Sequence, residues 1–116
     1  WIRCMQTVAN FQKQSGTPIK TKSQITEAAH KRHPKRAARV IEQLFEKDYS
    51  VALCTHRPLL PDVLGHLAER AVAGSAARRT LSALATAGID KGEVLVCQVS
   101  GAGDEAVVVT VERHRP

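Results

Sequence analysis

The sequence VALCTHRPLLP, at residues 51–61, decides the predicted fold. Its first four residues form an uninterrupted apolar run, which is typical of a strand covered on both faces of a sheet. The run stops just before His56, and Pro58 and Pro61 mark the start of a helix. In sheets with helical crossovers, ligands bind at the carboxyl ends of strands, where helix N-termini and their backbone N–H donors also point. His56 is therefore placed for contact with an anionic substrate.

The segments on either side alternate between helical and strand-like patterns. Apolar residues recur at helical spacing, with glycine or proline near the boundaries, in residues 3–14, 34–47, 60–73 and 76–87. Strand-like runs cover residues 19–21, 51–54, 93–99 and 105–112, and the last two flank a short loop that predicts a hairpin. This order predicts an α/β domain with a mostly parallel sheet and a C-terminal hairpin.

Composition limits the class of protein. The chain has 116 residues, which is enough for one domain, and its net charge of +6 favours anionic partners such as nucleotides, phosphates, nucleic acid or lipid headgroups. Only 3% of the residues are aromatic, which argues against a surface that stacks single-stranded bases. The three cysteines form no Cys-x-x-Cys pair, and no apolar run is long enough to span a membrane. We therefore expect a cytoplasmic protein with reduced thiols, without membrane contact or a nucleic-acid partner.

The beginning of the chain indicates a missing segment. Trp1 and Ile2 are apolar and lead directly into helical sequence, with no strand before residue 3. Sheets of the predicted class usually begin with a strand. We expect the chain to be a fragment that lacks an N-terminal segment or domain.

The triplet Thr55, His56 and Arg57 is the strongest candidate site. It brings a hydroxyl, an imidazole and a guanidinium to the end of a predicted strand. These groups suit a phosphoryl oxygen, whose negative charge grows in the transition state. The alternative is a histidine that bonds a neighbouring carbonyl and has only a structural role. The sequence leaves both interpretations open.

Arg3 and Glu27 are two further candidates. Arg3 stands at the start of a predicted helix, where its guanidinium either holds a phosphate or is simply solvated. Glu27 follows a β-rich segment, and taken alone it is typical of a surface carboxylate. Close to an imidazole and an arginine, the same carboxyl group would suit protonation of a leaving oxygen.

A basic run, KRHPKR, occupies residues 31–36, and Arg39 follows it. It fits either a nucleic-acid patch or, more commonly, the solvated face of a helix. His30 and His33 have the spacing of one helix face, but no further ligands complete a zinc site. We therefore predict no metal site.

Several of these segments together resemble sequence motifs of the histidine phosphatase superfamily, which has the phosphoglycerate mutase-like fold. Residues 2–7, IRCMQT, resemble the second part of the family's Ser-Pro-x-x-Arg-(Cys/Ala)-x-x-Thr motif. Residues 25–27, ITE, resemble its Leu-x-Glu, and His56 in LCTH resembles the second of its two pocket histidines. Residues 92–96, GEVLV, and the closing valine-rich strand also fit. The sequence of residues 54–61, CTHRPLLP, is most similar to sequences in the C-terminal histidine phosphatase domain of actinobacterial MutT-type Nudix hydrolases.

The resemblance implies that residues 1–116 are the C-terminal portion of a histidine phosphatase domain, a three-layer sandwich with a mostly parallel sheet. It implies a hydrolase of nucleotide phosphates in which a histidine outside this chain attacks phosphorus and forms a phosphohistidine. Arg3, His56 and Arg57 would hold the phosphoryl oxygens, and Glu27 would protonate the leaving group. The phosphatase step needs no cofactor, and magnesium would be needed only by a Nudix domain in the parent protein.

The chain also departs from the family. The family's Arg-His-Gly motif, which holds the nucleophilic histidine, is absent from the chain, and so is a Nudix box. Arg57 stands where the family usually has glycine. We expect the isolated chain to be inactive, and we expect Arg3, Glu27 and His56 to converge on one pocket. The alternative function is a non-catalytic module that binds nucleic acid or protein through the basic helix at residues 34–47.

Overall fold

The computed structural model describes residues 35–47 and 49–115, together with Gln6, Ala9, Lys13, Gln14 and Gly16. Four of the isolated positions, at residues 6, 9, 13 and 14, are helical, as the pattern of residues 3–14 predicts. The predicted strand at residues 19–21 lies outside the described residues.

Three helices are confirmed. They are α1 (Lys35–Phe45), α2 (Leu60–Glu69), which follows a short 3-10 turn at Arg57–Leu59, and α3 (Ala76–Ala87). Helix α2 ends four residues earlier than the sequence predicts. The reason is that the Arg70 carbonyl accepts a hydrogen bond from the backbone N–H of Val108 at 2.9 Å, and Ala71 forms a parallel bridge with Val108. The backbone after Glu69 therefore pairs with the hairpin instead of continuing the helix.

Local chemistry fixes both ends of α3. The Ser75 hydroxyl accepts a hydrogen bond from the backbone N–H of Arg78 at 3.2 Å, which satisfies one of the free donors of the first turn. At the other end Gly88 has a φ of +83°, a conformation that favours glycine and stops the helix. The sequence predicts both boundaries of α3 correctly.

The C-terminal hairpin is also confirmed. Strand β1 (Val94–Ser100) pairs antiparallel with β2 (Val107–His114), with an irregularity between Gln98 and Val99. The connection contains a 3-10 turn at Gly103–Glu105. Gly101 has a φ of +82°, and a Cβ atom there would lie 2.9 Å from the Glu105 carbonyl oxygen, so this turn needs glycine.

The predicted three-layer sandwich with a mostly parallel sheet is wrong for the part of the chain that the structure describes. The sheet there has two strands, both in the hairpin. Residues 51–54 form neither strand nor helix, and Val51 and Leu53 are exposed. An apolar run becomes a strand only when a neighbouring strand takes up its backbone hydrogen bonds, and no described strand pairs with residues 51–54. The described residues form a mixed helix and strand domain with a general α/β character.

The core lies between the three helices and one face of the hairpin. Ile41 of α1, Leu59 of the 3-10 turn, Leu81 of α3 and Val108 of β2 are completely buried. Nine further apolar residues complete the cluster: Val40, Phe45, Val63, Leu64, Ala68, Ala71, Ala77, Leu84 and Ala106. The core thus fixes Leu59, only three residues after His56.

Candidate anion-binding site

His56 lies directly before the 3-10 turn that leads into α2. Its backbone is extended, with φ −103° and ψ 154°, and its carbonyl accepts a hydrogen bond from the N–H of Leu59 at 3.0 Å. Because Leu59 is completely buried, it anchors this turn to the core. The position of His56 and Arg57 is therefore set by the packing of α2, although the residues before them belong to no regular element.

The two side chains differ in exposure. His56 is half-buried, as are Cys54 and Thr55, whereas Arg57 is exposed. Both stand at the N-terminal end of α2, where the helix dipole attracts negative charge. Imidazole and guanidinium are both groups that donate hydrogen bonds to anions.

The backbone contributes less than the sequence predicts. The N–H groups of Leu59 and Leu60 already bond to the carbonyls of His56 and Arg57, and Pro58 and Pro61 have no N–H. The expected convergence of backbone donors is therefore wrong for this turn, because the 3-10 geometry consumes them. An anion here would depend on the side chains. Asp62 is exposed in the first turn of α2, and its negative charge disfavours an anion bound nearby.

Arg3 and Glu27 lie outside the described residues. Their convergence with His56 on one pocket therefore stays a prediction. His30, His33 and residues 31–34 of the basic run lie outside as well. Within the described side chains, no group of three histidines, cysteines or carboxylates is placed to hold a metal ion.

The exposed face of α1 is mixed in charge. Arg39 is exposed, but so are Glu42, Gln43 and, just after the helix, Glu46. Glu42 also forms an ion pair with Arg70. The described side chains of this helix are therefore mixed in charge rather than uniformly basic.

Sequence reasoning missed Arg70, which connects three parts of the fold. Its guanidinium pairs with Glu42 of α1 and donates to the Gly103 carbonyl at 2.8 Å and to the Ala106 carbonyl at 3.4 Å. It also lies 4.9 Å from the centre of the Phe45 ring, within range of a cation–π contact. The hydrogen bond with Glu42 raises the pKa of Arg70. The role of Arg70 is to join α1, the end of α2 and the hairpin turn.

Sequence reasoning also missed the ion pair of Glu93 and Arg113. Arg113 donates to both carboxylate oxygens of the buried Glu93, from Nε at 2.5 Å and from a terminal nitrogen at 3.0 Å. The Asp90 backbone N–H donates to the same carboxylate at 2.9 Å. The hydrogen bonds from Arg113, followed by that from Asp90, lower the pKa of Glu93 to about 2. This pair fastens the end of β2 to the loop before β1.

An open groove of about 350 Å³ lies at the opposite end of α2 from His56, about 15 Å away for a ten-residue helix. It is lined by residues 69–72 and by Asp104, Ala106 and Val107. Its charged lining residues are Glu69, Asp104 and Arg70, and Arg70 is paired with Glu42. The groove is therefore separate from the candidate site.

The described thiols and helices allow two more observations. Cys97 is a free thiol, and burial raises its pKa, which makes it less reactive. Within the described ranges, no helix is both long and apolar enough to cross a membrane.

No protein-family model, curated protein or solved structure matches the chain.

Proposed function

We propose that this chain is part of a cytoplasmic phosphohydrolase of the histidine phosphatase type, acting on nucleotide phosphates, in which His56 and Arg57 hold the phosphoryl group. One observation carries the proposal: the half-buried His56 and the exposed Arg57 are consecutive residues at the N-terminal end of α2, in a turn anchored by the buried Leu59. The net charge of +6 supports an anionic substrate.

The chemistry follows from the charge that develops on phosphorus. A histidine attacks the phosphorus atom, the bond from phosphorus to the leaving oxygen breaks, and a phosphohistidine forms. Water then attacks the phosphohistidine and releases inorganic phosphate. His56 and Arg57 donate hydrogen bonds to the phosphoryl oxygens, whose charge they stabilise in both steps. Because the chain contains no Arg-His-Gly motif, the attacking histidine is supplied from outside residues 1–116.

Arg3 and Glu27 complete the proposed site. Arg3 adds a planar guanidinium that can hold two phosphoryl oxygens at once. Glu27 gives its proton to the leaving oxygen as the bond to phosphorus breaks. The phosphatase step needs no cofactor, and magnesium enters only where a Nudix domain belongs to the same protein.

The direct test is binding of inorganic phosphate and of adenosine diphosphate to the 116-residue chain, measured by titration calorimetry. We expect His56→Asn and Arg57→Ala each to weaken binding about tenfold or more, since each removes a charge-assisted hydrogen bond. His66→Asn and Arg79→Ala are matched controls. His66 is also half-buried on α2, and Arg79 is also exposed near a helix N-terminus.

Either of two results would contradict the proposal. One is equal loss of binding in the His66 and Arg79 controls, which would indicate unspecific attraction to a basic protein. The other is tight DNA binding that falls steeply with salt, together with no phosphate binding, which would favour the binding module instead. We also expect no phosphate release from nucleotides by this chain alone, because it lacks the attacking histidine.

A further inference from the structure

We draw no further inference here: the strongest candidate, the open groove at the C-terminal end of α2 with Glu69, Arg70 and Asp104 in its lining, carries nothing, because Arg70 is already paired with Glu42 and nothing in the structure shows what would bind between the two exposed carboxylates.

Discussion

Two adjacent regions of the chain differ sharply. Residues 57–115 form two helices and a hairpin around buried leucines and valines, and their caps, turns and ion pairs are formed within the described residues. Residues 49–56 carry the most distinctive sequence, yet they form neither helix nor strand and expose their apolar side chains. A helix makes its hydrogen bonds within itself, whereas a strand depends on a neighbour. An apolar pattern is therefore enough to predict a helix, but it is not enough to predict a strand.

Leucine truncation should show the largest difference between the two regions. Leu59 is completely buried, so Leu59→Ala should lower the free energy of unfolding by about 2–5 kcal/mol. Leu53 is 36% exposed, and Leu53→Ala should cost only about 0.5 kcal/mol or less. Denaturant titration of both variants measures the two values. Equal costs would mean that Leu53 is covered in solution.

The hairpin turn gives the next largest effect. Gly101→Ala places a Cβ atom against the Glu105 carbonyl at a positive φ, so it should cost about 1–3 kcal/mol of unfolding free energy. Gly74 has a similar φ of +79° but nothing within 4 Å, so Gly74→Ala should cost less, about 1 kcal/mol. Thermal melts of the two variants make the comparison. If Gly74→Ala proves as costly as Gly101→Ala, the close approach in the turn does not exist in solution.

The cap of α3 should give a smaller loss. Ser75→Ala removes the acceptor for the Arg78 N–H and should cost about 1 kcal/mol in denaturant titration. Ser82→Ala, an exposed serine inside the same helix, should be neutral or slightly stabilising, since alanine is the better helix former. Equal effects at both serines would exclude a capping role for Ser75.

The ion pair of Glu93 should appear in the pH dependence of stability. The folded state lowers the pKa of Glu93 from 4.5 to about 2, so its contribution is present above pH 4.5 and is lost as the pH falls towards 2. Glu93→Gln should therefore be less stable than the parent at pH 7, and the two should approach each other as the pH falls through this window. Unfolding curves at several pH values measure the gap. A gap that stays constant down to pH 2 would contradict the lowered pKa.

The sequence predicts local structure better than distant contacts. Ser75 and Gly88 mark the ends of α3 because capping depends on residues within one turn. The hairpin follows from two apolar runs around a glycine-rich loop. Arg70 meets Glu42 across 28 positions and Arg113 meets Glu93 across 20, and no periodic pattern encodes such distances.

The candidate site was predictable only in part. The sequence places His56 and Arg57 before a helix, and the structure does so too. The sequence does not show that two prolines and a 3-10 turn remove most of the backbone N–H donors at the start of α2. That outcome depends on the hydrogen bonds of the Leu59 and Leu60 N–H groups. The predicted strand before His56 is not formed for another reason, since no described strand pairs with residues 51–54.

Side-chain NMR during a phosphate titration tests the central claim most directly. We expect inorganic phosphate to shift the imidazole signals of His56 and the guanidinium signal of Arg57 in a saturable way, while the corresponding signals of His66 and Arg79 stay in place. Shifts that spread evenly over all histidines and arginines, or that spare His56 and Arg57, would contradict an anion site at the start of α2.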